Sequence, residues 1–277
     1  MPELPEVETV RRGLNQVTLT HKILGGEVLL DSTIAHPLSS VEFLAGLKGT
    51  VITQWQRRGK YLLAELAPGG WLGAHLRMTG QLLWLDPQEP LQKHTRVRLF
   101  FGDSQELRFV DQRTFGQMWW VPPTAKVESV ITGLQKLGPD PFSTEFTLEY
   151  FSARLHNRRR PIKSALLDQA LVAGLGNIYA DEALFLTGIR STTLCSDLTL
   201  EQIERLRKAI IQVLQTSIDA GGTTFSNFLN VQGINGNYGG VAWVYNRDGQ
   251  PCRMCSTLIQ RIKLGGRSAH FCPQCQR

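Results

Sequence analysis

Apolar residues recur every three or four positions at the start of the chain. Leu4, Val7, Val10 and Leu14 fall on one face of a helix that runs through about Asn15. The period then shortens to two. Apolar or alternating runs at 23–30, 51–55, 61–66, 71–76, 81–85, 97–101, 107–110 and 118–121 predict strands, separated by turn residues such as Gly69-Gly70 and Gly102-Asp103. Many short strands at this spacing make a sandwich or barrel, with Trp55, Trp84 and Trp119 in its core. Pro122-Pro123 closes the region, and Gly138-Pro139-Asp140-Pro141 marks a domain boundary. From Thr147 the period is helical again, over 148–155, 162–173, 178–186 and 200–220. Gly174-Leu175-Gly176-Asn177 joins the second and third of these helices. The helix start at Asn177 offers unpaired N–H groups and a positive dipole to a phosphate, although an ordinary helical hairpin has the same pattern.

The last segment follows neither period. Cys252-Arg-Met-Cys255 and Cys272-Pro-Gln-Cys275 are separated by sixteen residues, a spacing that suits two chelating turns around one tetrahedral zinc, with a β-hairpin between them. Four thiolates leave no open position, so such a zinc holds structure and does no chemistry. Two disulfides would fit the same count, but no secretory signal precedes the cysteines. Cys195 stands apart as a small apolar filler.

Charge adds a partner class. The chain carries 30 Lys and Arg against 24 Asp and Glu, a formal +6 that stays positive once four thiolates bind a dication. From Cys252 to Arg277 there are Arg253, Arg261, Lys263, Arg267 and Arg277 and no acidic residue. Arg154, Arg158, Arg159, Arg160 and Lys163 precede the glycine turn in the same way. Such surfaces suit a polyanion, and phosphate neutralisation supplies most non-specific DNA affinity. At 277 residues and 42% hydrophobic, the chain can bury a core and divide into more than one domain. No apolar stretch is long enough to span a membrane, and the acidic start is no signal peptide; a cytoplasmic, nucleoid-associated protein is expected.

The start also carries candidate chemistry. Met1 before the small Pro2 is ordinarily removed, leaving a secondary amine flanked by Glu3 and Glu6. A terminal amine titrates near 8, so part of it is a neutral nucleophile at pH 7. Attack on an aldehyde-like sugar carbon gives an iminium ion, an electron sink for elimination, and a nearby carboxylate can move the protons. Prolines that open a helix, with glutamates favouring its dipole, account for the same residues without chemistry.

Several segments, in order and spanning nearly the whole chain, together resemble the bacterial formamidopyrimidine-DNA glycosylase family. They are Met1-Pro-Glu-Leu-Pro-Glu-Val-Glu8, Arg58-Gly-Lys-Tyr61, His75-Leu-Arg-Met-Thr-Gly80, Asp111-Gln-Arg-Thr-Phe-Gly116, Gly174-Leu-Gly-Asn-Ile-Tyr-Ala-Asp-Glu182, Gly221-Gly-Thr-Thr224 and the four-cysteine hairpin. The resemblance implies an α+β chain with an N-terminal antiparallel β-sandwich and short N-terminal helix over 1–137. A helical helix–two-turn–helix domain with a lesion-capping loop would follow over 138–240, and a zinc-finger β-hairpin over 241–277. It implies a bifunctional glycosylase/AP lyase that removes oxidised purines (8-oxoguanine, formamidopyrimidines) from duplex DNA.

In that scheme Pro2 attacks C1′ of the damaged nucleotide and Glu3 is the general acid/base, with Glu6 supporting the site. Lys60 and His75 lie near the phosphates. Met78, Arg113 and Phe115 fill the gap left by the flipped nucleotide, with Arg113 reading the orphaned cytosine. Asn177, Arg267 and, more weakly, Lys163 contact phosphate. Thr114 stands where the commoner family motif has a second arginine, and the glycine- and asparagine-rich 231–240 stretch departs from other members. The expected cofactor is one structural zinc with no nucleotide cofactor, and the expected partner is damaged double-stranded DNA bound by a monomer. Two other readings compete: an endonuclease VIII-type enzyme for oxidised pyrimidines, against which Leu4 and the Met78/Arg113/Phe115 set argue, and a non-catalytic zinc-finger DNA-binding protein, which leaves Pro2 and Glu3 without a purpose.

Overall fold

The computed structural model describes residues 1–102, 104–156, 158–223, 231–234 and 236–277. It forms two compact units: Met1–Gln135 with Gly221–Gly236, and Lys136–Ala220 with Asn237–Arg277. The stretch Gly221–Gly236, assigned from sequence to the helical part, therefore clusters with the first unit.

The first unit begins with helix α1 (Leu4–Val17), whose Leu4, Val7, Val10 and Leu14 are wholly buried. Strands β1 (Ile23–Val28) and β2 (Ile34–His36) follow, then helix α2 (Ser40–Leu47) and seven further strands. These are β3 (Val51–Arg58), β4 (Tyr61–Ala67), β5 (Trp71–His75), β6 (Gly80–Leu85), β7 (Thr95–Phe101), β8 (Gln105–Asp111) and β9 (Gln117–Val121). A short helix α3 (Val127–Val130) ends this part. The strands form two sheets, ordered β1-β7-β8-β6 and β2-β9-β5-β4-β3. Trp55, Leu62, Leu82, Val97, Phe109 and Met118 join the helix residues in the core of this sandwich. All pairs are antiparallel except β2 with β9, which runs parallel.

Polar contacts fix where the chain start lies. The Asn15 side chain pairs with Trp55 of β3, accepting from its N–H at 2.7 Å and donating to its carbonyl at 3.0 Å. The Trp55 indole donates to Thr18 Oγ1 at 2.8 Å. Glu8 accepts from Arg11, Arg12 and Arg57, the last of these on β3. Gly13 lies mid-helix because a Cβ there would stand 2.5 Å from Val231, which is buried against α1 and whose carbonyl accepts from Trp84 N.

The second unit holds α4 (Leu148–Leu155), α5 (Ile162–Leu166), α6 (Asn177–Thr187) and α7 (Leu200–Asp219), then the hairpin β10 (Gln260–Leu264) and β11 (Arg267–Phe271). The helix expected over 162–173 stops at Leu166. Asp168 and Gln169 divert the backbone: Asp168 Oδ1 accepts from Ala170 N, and the Gln169 amide bonds Leu167 O, Gly174 N and Leu175 O. What remains is α5, two turns and α6, with Gly176 capping the second helix. No helix among the described residues is long and apolar enough to cross a membrane.

Candidate DNA-lesion site and zinc centre

The sandwich topology brings the first-unit candidates together. β5 and β9 pair in one sheet with His75 opposite Gln117, and β6 and β8 pair in the other with Gly80 opposite Asp111. Two of the chain's crossings between sheets therefore run side by side: from His75 to Gly80, carrying Met78, and from Asp111 to Gln117, carrying Arg113 and Phe115. Arg77, Met78, Thr114, Phe115, Gly116 and Gln117 line a cavity of about 510 Å³ together with Met1 and Ser32. That volume suits a single nucleotide. Phe115 is 52% exposed, a conspicuous solvent position for an aromatic ring, and the Arg113 guanidinium lies 5.0 Å over it.

At the cavity's edge stands the chain start. Pro2 and Glu3 are buried and Met1 is partly exposed. Burial lowers the terminal amine's pKa, Glu3 and Glu6 oppose this, and Lys60 and Arg113 add to it, leaving it below its ordinary value. Glu6 is fully buried and accepts two backbone N–H groups, from Glu3 at 2.8 Å and from Thr223 at 3.0 Å. It thereby ties the chain start to the stretch that opens the 223–240 loop. Residues 224–230 and Asn235 of that expected capping loop, and Thr224 of the Gly221 motif, lie outside the described residues.

Lys60 is buried at the β3–β4 turn after Gly59, which takes φ +58. His75 is buried edge-on against Tyr61 at 4.6 Å, and its Nδ1 accepts from Arg77 N at 3.0 Å. Burial, with Arg77 and Lys60 nearby, pushes its pKa down to about 3. The ring is therefore neutral at physiological pH with its proton on Nε2, a donor that needs no charge.

In the second unit Asn177 opens α6 and the exposed Arg267 opens β11. Lys163 departs from expectation. Its ammonium is 1% exposed, 2.6 Å from Asp181 Oδ1, and it donates to the Ser268 carbonyl. Asp181 also accepts from His270 N at 2.9 Å and faces His270 Nδ1 at 3.1 Å. Lys163 is thus a strut joining α5, α6 and β11, and a phosphate outside the protein cannot reach it without breaking that pair. Glu182, next along α6, is buried and accepts from Trp243, Val244 and Tyr245 N–H and from the Tyr238 hydroxyl. Burial raises its pKa against those four donors.

The four cysteines converge as their spacing requires. Their sulfurs all lie within 4.8 Å of one another, with Cys252–Cys275 at 3.9 Å and Cys255–Cys272 at 3.4 Å. A tetrahedron with zinc–sulfur bonds of about 2.3 Å has edges of about 3.8 Å, so the cage fits zinc. Met254 N donates to Cys252 Sγ and Cys275 N to Cys272 Sγ, the hydrogen bonds expected around zinc-bound thiolates. Cys252, Cys255, Cys272 and Cys275 hold one structural zinc.

Sequence reasoning gave no role to Asp111, Thr79, Arg77 or Asp181, although all stand inside the quoted motifs. The signal for Asp111 was an acidic residue directly after the apolar pair Phe109-Val110 that ends a strand run.

Comparison with known proteins agrees with this geometry along the whole chain. Residues 1–118 match the formamidopyrimidine-DNA glycosylase N-terminal domain, 137–228 its H2TH domain, and 249–277 a zinc finger found in that enzyme and in isoleucyl-tRNA synthetase. A formamidopyrimidine-DNA glycosylase of Nostoc sp. is 72% identical, with both chains covered completely. Two structures of the wild-type Lactococcus lactis protein also cover both chains completely. The complex with DNA containing N7-benzyl-Fapy-dG is 35% identical at a TM-score of 0.91, and the complex with DNA containing an oxidised pyrimidine is 35% identical at 0.91. The chain belongs to the formamidopyrimidine-DNA glycosylase family.

Proposed function

We propose that this protein is a zinc-containing DNA glycosylase/AP lyase that excises oxidised purines, 8-oxoguanine and formamidopyrimidines, from duplex DNA. The observation that carries the reading is the chain start at the cavity edge. The Met1 amine, held below its ordinary pKa chiefly by burial, and the buried Pro2 and Glu3 next to it lie beside a cavity of about 510 Å³ lined by Met78 and Phe115.

Removal of Met1 exposes the Pro2 secondary amine one residue deeper. With the target nucleotide flipped from the stack, Pro2 nitrogen attacks C1′ and the C1′–N bond to the base breaks, the base leaving with a proton. The ring C1′–O4′ bond opens, O4′ takes a proton from Glu3, and C1′ becomes an iminium. Loss of the C2′ proton expels the 3′ phosphate, and a second elimination expels the 5′ phosphate. Water then hydrolyses the remaining adduct and frees Pro2. Glu6 positions Glu3 through its backbone N–H. Lys60 and neutral His75 meet the flanking phosphates; Asn177 and Arg267 hold the backbone from the helical turn and the zinc hairpin, and Lys163 acts through β11. Met78, Arg113 and Phe115 occupy the vacated stack, with Arg113 donating to the orphaned cytosine. The 1–137, 138–240 and 241–277 division corresponds to chemistry, DNA grip with lesion cover, and zinc hairpin. The protein works as a monomer on nucleoid DNA in the cytoplasm.

The oxidised-pyrimidine complex of the L. lactis relative gives the endonuclease VIII-type reading a specific observation. Borohydride trapping separates the readings, with peptide mapping of the adduct on duplexes carrying 8-oxoguanine or an oxidised pyrimidine opposite their natural partners. An adduct at Pro2, formed faster with 8-oxoguanine, is expected. Preference for the pyrimidine moves the substrate class, and no adduct with either lesion or an abasic site refutes the enzyme.

A further inference from the structure

The two crossovers are far apart in sequence but meet on one side chain. Asp111 ends β8 and is 1% exposed. Its Oδ1 accepts from the Thr79 hydroxyl and, at 3.2 Å, from Arg113 N, and its Oδ2 accepts from Gly116 N at 2.7 Å. Thr79 Oγ1 accepts from the same Arg113 N at 3.0 Å. Thr79 directly follows Met78, while Arg113 and Gly116 bracket Thr114 and Phe115. One carboxylate thus links the turn carrying Met78 to both ends of the bend carrying the other two residues.

Its own position leaves it little freedom. Asp111 N donates to His94 O at 2.9 Å, Arg96 Nε donates to Asp111 O at 2.8 Å, and Asp111 pairs with Gly80 across the sheet. The bend it holds is strained: Thr114 takes φ +57, in the left-handed region that a β-branched residue resists. Bonds at Arg113 and Gly116, either side of Thr114 and Phe115, keep that conformation in place. The Arg113 guanidinium is exposed, so its direction follows from its backbone and from the Phe115 ring beneath it.

The geometry points to Asp111 and Thr79 as positioning residues that register Met78, Arg113 and Phe115 against one another and so set discrimination of the base opposite the lesion. This rests on the reading of Arg113 as the group that meets the orphaned base. A guanidinium making two hydrogen bonds to one base tolerates little misplacement, whereas a ring that only fills space tolerates more.

The test is single-turnover excision of 8-oxoguanine opposite cytosine and opposite adenine by the wild type, Thr79→Val, Thr79→Ser and Arg113→Ala. Thr79→Ala serves as a second variant should the valine not fold. The wild type is expected to prefer cytosine. Thr79→Val removes the hydroxyl at nearly constant shape, and its cytosine-over-adenine ratio is expected to fall about fivefold or more, as in Arg113→Ala. Thr79→Ser retains the hydroxyl and is expected to keep the wild-type ratio. A general loss of folding or DNA binding lowers both rates and leaves the ratio alone. A ratio lost in Arg113→Ala but intact in Thr79→Val and Thr79→Ala overturns the positioning role and leaves Arg113's reading standing. A ratio lost in both Thr79→Val and Thr79→Ser overturns it as well, since the hydroxyl then decides nothing. No preference in the wild type, or an unchanged ratio in Arg113→Ala, overturns both.

Discussion

Lys163 separates two physical roles that a basic sequence run leaves indistinguishable. In the structure its ammonium and the Asp181 carboxylate are 1% and 0% exposed and 2.6 Å apart, with Ser268 O as a second acceptor. Replacing Lys163 with Met keeps most of the stem volume and deletes the charge. Among the described residues it leaves the buried Asp181 carboxylate the His270 backbone N–H as a donor and the His270 Nδ1 at 3.1 Å. Removing one partner of a buried pair costs about 3–5 kcal/mol, and the remaining His270 contacts place this case near about 3 kcal/mol. The double variant Lys163→Met/Asp181→Asn is expected to recover part of that loss, because no uncompensated charge remains. Urea denaturation of the zinc-loaded protein measures the cost. The salt dependence of duplex binding tests the alternative: a lysine that neutralises a phosphate lowers the log K against log salt slope by about one when removed. A strut leaves that slope within error of wild type under conditions where the variant is folded. A slope reduced by about one, with stability unchanged, would refute the strut.

Three other outcomes follow from the geometry. Stripping the metal with a strong chelator is expected to release one zinc per chain and abolish duplex binding; a chelated, metal-free protein that binds DNA normally counts against the cage as the support of Arg267. Burial pushes the Glu8 carboxyl up, but Arg11, Arg12 and Arg57 outweigh this and hold it at about 2, so it adds stability above its ordinary 4.5 that is lost as pH falls toward 2. Allowing for solvent screening through its half-exposed partner Arg12, Glu8→Gln is therefore expected to be less stable than wild type by about 2 kcal/mol at pH 7, with the gap closing below pH 4.5 in thermal melts. Gly13→Ala would gain about 1 kcal/mol from helix propensity alone. Its Cβ would stand 2.5 Å from Val231, so net destabilisation is expected; in a Val231→Ala background the same change is expected to stabilise, and a gain in both backgrounds shows that Val231 is not seated there.

What the sequence made legible is what short-range pattern encodes. The 20-residue α7 shows its apolar face, and the structure starts it at Leu200, where the period begins; the Thr199–Gln202 capping box found there is a local signal that the period alone did not use. All eight strand runs are strands, because alternation in a half-buried sheet survives without knowledge of the partner. Helix α2 escaped because only Phe43 and Leu47 are buried along it, two points that fit a strand edge as well as a helix; its signal was Ser39, which caps Glu42 N. The buried pairing of Lys163 is illegible for a different reason. Its acceptors lie 18 residues on at Asp181 and 105 on at Ser268, and no local pattern distinguishes a lysine facing solvent from one facing a carboxylate across the fold. Asp111 belongs to the same class, since its meaning depends on Thr79, 32 residues earlier.

Apart from Met1, the residues around the cavity occupy one kind of place in the sandwich, the connections at which the chain changes sheet. A hairpin within one sheet is held at both ends by the same ladder, so it moves as that sheet moves. A crossover is held at one end by each sheet, so the groups it carries are fixed by the packing between sheets. Here two crossovers run side by side, and Phe109 lies under both: a Cβ on Gly80 would stand 3.0 Å from its ring and one on Gly116 2.5 Å. Gly116 is required by that close approach to the ring, and Gly80 by the Leu76 carbonyl, which would stand 2.5 Å from a Cβ there, with the ring next. Asp111 adds the polar tie from the same strand, two residues further on. Met78, Arg113 and Phe115 can therefore reach outward from a base that is closed beneath by an aromatic ring and bound laterally by a carboxylate. That is the arrangement the wedge proposed above needs if entering a base stack is not to push it back into its own protein.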